Sequence, residues 1–347
     1  MAEAALTPAQ SAVRLDVADA GMVLVAQQHA QRVARAAGLD ETGVEHAALT
    51  AAELAANAQR HGSGGQLLLQ PAADVAAMDV IALDRGPGVP DWDRSFSDGY
   101  STLAGSLGGG LGAVARVATT VTGWSRADSG TVLSARIGPL GAAATVAGLG
   151  SPHRGERVNG DAWSWAIEDT GVFAVLADGL GHGPAAASAG ALAVADAAEL
   201  AALPLSEAIL RVHGRLRGSR GAAVTAVRLR PAADGEGHDL LVVGVGNVAA
   251  AVVGVDGSVR RTLIGHGTAG LAMRTPVQTS TRVPTGAVVV LHTDGLLSSW
   301  DLRDRARAVD APPAVLGALL LRDHERGTDD TGIVVIRPTA VSDRTDP

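Results

Sequence analysis

The segment Val175-Leu176-Ala177-Asp178-Gly179-Leu180-Gly181-His182-Gly183-Pro184 decides how the rest of the chain is read. An apolar run of core-strand character ends abruptly in a carboxylate and a glycine-crowded turn, so Asp178 is left at the mouth of a buried strand. Glycines packed so tightly mean that backbone must pass close to something, and a metal or a phosphate is a common reason. An Asp-Gly pair by itself is also an ordinary turn signal. Here the design recurs. Val288-Val289-Val290-Leu291-His292-Thr293-Asp294-Gly295 repeats it, and Gly327-Thr328-Asp329-Asp330 precedes a last apolar run from Ile333 to Ile336. Upstream, Arg157-Val158-Asn159-Gly160-Asp161 sets a further Asp before the strand-like Trp163 to Ile167. Acidic residues at the ends of separate strands can converge on one pole of a sheet. Oxygen-only ligands suit hard cations such as Mg²⁺ or Mn²⁺.

Composition narrows the chemistry further. The 347 residues favour two domains, and the net charge of -8 offers no basic footprint for nucleic acid or an anionic membrane. No apolar run is long enough to cross a bilayer, and Met1 to Asp16 lacks the pattern of a signal peptide, so a soluble cytoplasmic protein is expected. The chain contains no cysteine and no lysine. That excludes disulfides, thiolate metal sites, a cysteine-nucleophile phosphatase, and any ATP site built on a Walker A lysine or a kinase strand lysine.

The ordered acidic motifs resemble the metal-dependent Ser/Thr phosphatases of the SpoIIE and RsbX branch over roughly the last 200 residues. The resemblance implies that Asp178 bridges two metal ions, that Gly179 lends its carbonyl, and that Asp294 and Asp329 are later metal ligands. Asp161 takes the place of an early Asp that ligates or supports a metal. Many relatives carry Glu just before that Asp, where this chain has Gly160, which implies a more loosely held second ion. His182 reads either as a phosphate contact or as a turn-shaping loop residue, Arg154 and Arg157 as phosphoserine contacts or surface charge, and Trp163 and Trp165 as packing.

The N-terminal stretch carries a different pattern. A strand is predicted from Ser11 to Val17, a helix from Ala20 to Ala37, and a second helix from its N-cap Asp40 to about His61, stopped by Gly62. Val44, Ala47, Ala48, Ala51, Leu54, Ala55 and Ala58 supply the apolar face of that second helix. Glu53, Asn57 and His61 share one edge at i, i+4 and i+8. Strands follow at Gln66 to Gln70 and Asp79 to Asp84, the latter ending in Asp84-Arg85-Gly86-Pro87-Gly88. Then Gly105-Ser106-Leu107-Gly108-Gly109-Gly110-Leu111-Gly112 opens a helix whose exposed amides form a natural phosphate cradle. Val121 to Ser125 and Gly130 to Ile137 close the domain as strands.

These boxes resemble the nucleotide-binding motifs of GHKL ATPases and kinases over about residues 10 to 138, especially the small serine kinases of the RsbT type. The resemblance implies ATP held by Gly86, Gly88, Gly108, Gly110 and Gly112, with Asn57 steadying Mg²⁺. It further implies that Asp84 accepts the adenine amino hydrogen, that Thr131 supports the adenine, and that Glu53 acts as base or positioner. The tripeptide Arg60-His61-Gly62 also marks histidine phosphatases, but there it follows a first strand and here it ends a helix.

The expected fold is therefore a two-domain α/β chain: an N-terminal GHKL (Bergerat) sandwich at 1–140, a metal-dependent phosphatase sandwich with antiparallel sheets at 141–340, and a tail at 341–347. Gly138 to Gly150 is read as linker, Ala185 to Ala201 as one Ala-rich helix and Leu205 to Leu216 as another. Further strands are predicted at Ala222 to Leu229, Leu240 to Val245, Ala249 to Val255 and Val288 to Leu291, with Asp234 to His238 as a loop. The expected activity is bifunctional. Serine on a STAS-domain antagonist is phosphorylated with ATP, and phosphoserine is hydrolysed by metal-activated water. The alternative is an ATP-dependent module that binds a sigma factor or antagonist, fused to a phosphatase, with one half catalytically degenerate.

Overall fold

The structure is a computed structural model that describes residues 12–61, 64–89 and 110–338. Gly62, the glycine run from Gly105 to Gly109 with Gly108, and the tail at 341–347 lie outside the described residues. Contacts divide the chain into two compact units, Ser11–Gly141 joined by Ala318–Asp323, and Ala142–Gly317 joined by the chain from His324 onward.

The first unit is a helix layer on a five-stranded antiparallel sheet. Strands β1 (Val13–Val17), β2 (Gly65–Pro71), β3 (Met78–Asp84), β4 (Thr120–Ser125) and β5 (Thr131–Ile137) lie in the order β1-β2-β3-β5-β4. Helices α1 (Gly21–Ala36), α2 (Glu41–His61) and α3 (Gly110–Val117) share a core with one face of it. The spacing of the small residues explains why. Ala26, Ala30, Val33 and Ala34 form one buried stripe on α1, and Val44, Ala47, Ala51, Leu54 and Ala55 another on α2. Alternate strand residues meet them, among them Leu67, Leu69, Met78, Val80, Ala82, Leu133, Ala135 and Ile137. Asp40 caps α2, its Oδ1 accepting the Gly43 N–H at 2.8 Å.

The second unit contains two five-stranded antiparallel sheets. One runs β13 (Thr279–Val283), β10 (His238–Val245), β9 (Ala222–Pro231), β8 (Gly171–Gly179) and β7 (Asp161–Glu168). The other runs β12 (Val259–Arg261), β11 (Ala249–Val253), β14 (Val288–His292), β15 (Thr331–Ile336) and β6 (Val146–Ser151). Helices α4 (Pro184–Val194), α5 (Ala197–Ala201) and α6 (Leu205–Arg215) pack on the first sheet. On the second, Gly317 of α7 (Pro313–His324) lies so near Leu149 that a Cβ there would stand 2.4 Å from its Cδ1.

Three sequence expectations change here. The Gly138 to Gly150 stretch is linker only in part, because β6 takes Val146–Ser151 and pairs with all of β15. Its glycines accommodate an indole. A Cβ on Gly148 would come within 2.0 Å of Trp163 Nε1, and one on Gly150 within 2.7 Å of the same ring. The single Ala-rich helix is two, broken where Ala195 is extended and Asp196 adopts φ +54°, a left-handed conformation that Asp tolerates better than most residues. His238 belongs to β10 rather than to a loop, paired with Pro231 and Val283. The edge strands β12 and β13, the 3-10 segment Arg303–Asp310 and α7 were not anticipated.

Candidate functional site

In the second unit the strand register assembles a carboxylate pole. Asp161 opens β7 and Asp178 nears the end of β8, and the antiparallel register sets the two directly opposite each other. Asp294 follows β14, while Asp329 and Asp330 precede β15. Those two strands are antiparallel neighbours, so their carboxylates share one end of the other sheet. Thr293 ties the two sheets together at this end. Its Oγ1 donates to Asp161 Oδ2 at 2.7 Å and accepts the Gly332 N–H at 2.9 Å. Asn159, buried one turn before β7, accepts the Asp161 N–H on its Oδ1 at 2.9 Å and donates from Nδ2 to Thr331 O at 3.2 Å.

Close backbone approach makes the pole possible. A Cβ on Gly179 would lie 2.2 Å from the Ala186 carbonyl, so the turn after Asp178 packs directly on the start of α4. Asn247, in the turn between β10 and β11, donates from Nδ2 to Asp294 Oδ2 at 2.7 Å. Asn159, Thr293 and Asn247 are site residues that motif reading did not assign; their only sequence signal is adjacency to the acidic strand ends or to a glycine turn.

The electrostatics are those of crowded carboxylates. Burial, then the charges of Asp294 and Asp329, push Asp178 up to about 7, while a hydrogen bond from Asn247 pulls it partly back. Asp161 is held well above the usual carboxylate range by burial and next by Asp178, against the Thr293 hydrogen bond. Asp330 is raised mainly by burial. Two oxygens, Asp161 Oδ1 and Asp330 Oδ2, are buried without a well-aligned hydrogen bond, the Gly160 N–H lying beside the Asp330 carboxyl. Oxygen donors, mutual repulsion and under-satisfied carboxylate oxygens fit a hard divalent cation. Among the described residues no three His, Asp or Glu side chains are close enough to hold one ion by themselves. A cation here would therefore draw on carbonyl, amide or water oxygens as well, which suits Mg²⁺ with its few carboxylates and retained waters.

At the rim, His182 Nδ1 sits 2.7 Å from Glu156 Oε1, and its ring stacks on His153 with centroids 5.0 Å apart. His292 is instead buried beside Trp300, whose Nε1 donates to its Nε2 at 3.3 Å. Trp163 is wholly packed.

The first unit gathers its own candidates in two groups. Glu53 and Asn57, one turn apart on α2, face the start of α3: a Cβ on Gly110 would stand 2.7 Å from Glu53 Oε2 and 3.6 Å from the Asn57 amide atoms. Gly112 is buried within α3. Asp84 Oδ1 accepts the Gly86 N–H at 2.8 Å and the Thr131 N–H at 3.2 Å, joining the first glycine box to β5. Ser125, not singled out in the sequence, continues the link: its Oγ accepts the Val89 N–H at 2.7 Å and lies 3.2 Å from Thr131 Oγ1. Gly88 at φ +83° and Gly130 at φ +80° take left-handed conformations that L side chains rarely adopt. A Cβ on Gly130 would fall 2.1 Å from the Asp84 carbonyl.

The family model of stage II sporulation protein E (SpoIIE) matches residues 168–338. The serine/threonine-protein kinase RsbT of Bacillus subtilis (strain 168) is 35% identical over 117 residues, 33% of this chain and 86% of RsbT. Among solved structures, a chain described as "The bacterial stressosome: a modular system that has been adapted to control secondary messenger signaling" is 23% identical, covering 56% of this chain and 98% of its own, with a TM-score of 0.50. RsbX in complex with magnesium is 19% identical, covering 55% and 92%, with a TM-score of 0.46. The second half is therefore similar to the SpoIIE family over residues 168–338. Over its N-terminal part the chain belongs to the family of the RsbT kinase. Among the described residues, no helix is long and apolar enough to cross a membrane.

Proposed function

We propose that this chain is a cytoplasmic partner-switching regulator with two opposed activities, a GHKL-type serine kinase domain at 1–140 and a metal-dependent phosphoserine phosphatase domain at 141–340. The observation that carries the reading is the pole where the β7–β8 register sets Asp161 against Asp178 and Thr293 ties in the other sheet.

In the phosphatase half, Asp178, Asp294 and Asp329 would hold Mg²⁺ or Mn²⁺, with the Gly179 carbonyl as a further donor and Asp161 in support. Bound there, the ions supply a water whose pKa falls from about 15.7 towards about 7, a nucleophile at neutral pH. Asn247 and Thr293 fix the carboxylates in place, each through a hydrogen bond of 2.7 Å. Asn159 pins the start of β7. No side chain needs to form a covalent intermediate, in keeping with a chain that has no cysteine.

In the kinase half, the amides at the start of α3 and the glycine boxes, Gly86, Gly88, Gly108, Gly110 and Gly112, would receive ATP, with Asn57 beside its Mg²⁺ and Asp84 and Thr131 at the adenine. A partner's serine oxygen attacks the γ-phosphorus in line, the bond to the ADP oxygen breaks, and Glu53 takes the serine proton. A STAS-domain antagonist is the proposed substrate, its phosphoserine form the substrate of the other half.

The test is intact-mass detection of phosphoserine on a STAS-domain partner given Mg-ATP and Mn²⁺, comparing the native chain with Asp178→Asn. Phosphate accumulating only with the variant supports both activities on one protein. Absence of phosphate with either chain removes the kinase assignment for that partner and favours a nucleotide-dependent binding module.

A further inference from the structure

We infer that Asp330, reaching into the space left by the missing side chain of Gly160, is itself a cation ligand of the carboxylate pole, acting with Asp161. The inference rests on the metal-phosphatase reading above and extends it to a residue that reading leaves unassigned.

Three observations support it. Asp330 is 2% exposed, yet its Oδ2 accepts no well-aligned hydrogen bond, with only the Gly160 N–H as a donor near the carboxyl on that side. A Cβ built on Gly160 would lie 2.7 Å from that same oxygen, so the absence of a side chain at 160 is what lets the carboxylate lie there. Asp161, adjoining Gly160, is 0% exposed and its Oδ1 is without a partner. The neighbouring Asp329 behaves differently, since its Oδ1 is occupied by the Asp330 N–H at 2.9 Å.

The rest of the Asp330 surroundings hold it in position. Its Oδ1 accepts the His153 N–H at 2.7 Å, which fixes the carboxyl plane and leaves Oδ2 turned toward Gly160. Burying a carboxylate oxygen without a well-aligned donor is unfavourable unless a proton or a cation compensates. Two such oxygens at one pole are the donor set a divalent ion completes, with the remaining positions filled by water.

The test is Mn²⁺ binding to the full chain, by calorimetry and by electron paramagnetic resonance of free Mn²⁺, for the parent, Asp330→Asn and Asp330→Ser. The asparagine variant retains Oδ1 for the His153 amide, and the serine variant removes both carboxyl oxygens. Thermal unfolding of each is followed with EDTA and with Mn²⁺. The expected result is that both variants unfold in EDTA at or above the parent's temperature, while Mn²⁺ affinity drops at least tenfold or one equivalent is lost. The rise in unfolding temperature on adding Mn²⁺ should shrink to less than half of the parent's. A folded variant with a parental Mn²⁺ isotherm and a parental thermal rise would overturn the inference and leave the phosphatase reading intact. A parent that takes up no Mn²⁺ would overturn both.

Discussion

Replacing Thr293 by Val tests how the pole is held together. The two side chains are nearly the same shape, and Thr293 is fully buried, so the change removes hydrogen bonds without opening a cavity. It takes the donor from Asp161 Oδ2, at 2.7 Å, and the acceptor from the Gly332 N–H, at 2.9 Å. With Asp161 held well above the usual carboxylate range, its hydrogen bond contributes about 0.5–1.5 kcal/mol net, and a buried amide left unpaired costs about 1–3 kcal/mol. Against this stands a gain of about 1 kcal/mol from the added methyl. The net loss should be about 2 kcal/mol in the second unit. Thr293→Ser keeps the hydroxyl and should lose only about 1 kcal/mol, for one methyl. Urea unfolding of the full chain, followed by hydrogen exchange of β7 and β15 amides, separates this unit from the other. Val and Ser variants equally stable to within about 0.5 kcal/mol would refute the claim that this hydroxyl joins the two sheets.

Three further outcomes follow from the same chemistry. Burial, against the attraction of Arg136, raises Asp79 to about 6, so the folded state binds its proton more tightly than the unfolded chain does. Its contribution to stability is therefore greatest below the unfolded value and falls by about 3 kcal/mol as pH rises from about 3 to about 7, a slope that Asp79→Asn should remove from urea midpoints of the first unit. Because Asp178 stands near 7 in the metal-free chain, Mn²⁺ uptake at pH 6.5 should release protons, and affinity should fall as pH drops below 7; calorimetry giving equal heats in buffers of different ionisation enthalpy would contradict this. Gly130→Ala puts a Cβ at φ +80° and 2.1 Å from the Asp84 carbonyl, and should cost about 2 kcal/mol or more while weakening ATP binding measured by fluorescent-nucleotide displacement.

Much of the architecture was legible because local chemistry and global fold agree. The small apolar stripes of α1 and α2 state their buried faces directly, whereas β2, β3 and β5 are buried on both faces and reveal only that they are core strands. Elements that depend on a distant partner were not legible. The glycines of β6 look like linker residues until Trp163 is laid over them from the opposite sheet. The break after Val194 has no Gly or Pro to announce it, and the edge strands β12 and β13 are short and partly polar.

The sequence by itself determined the chemical types at the two candidate sites: carboxylates at strand ends in one half, Glu and Asn on one helix edge and glycine boxes in the other, with cysteine and lysine chemistry excluded. Tertiary structure alone decided which groups meet. Strand register set Asp161 opposite Asp178, and the pairing of β14 with β15 brought Asp294 to the same end as Asp329 and Asp330. Thr293, Asn159 and Asn247 acquired their roles only there, because a hydroxyl or an amide carries no sign of its partner until folding fixes a distance of about 3 Å between them.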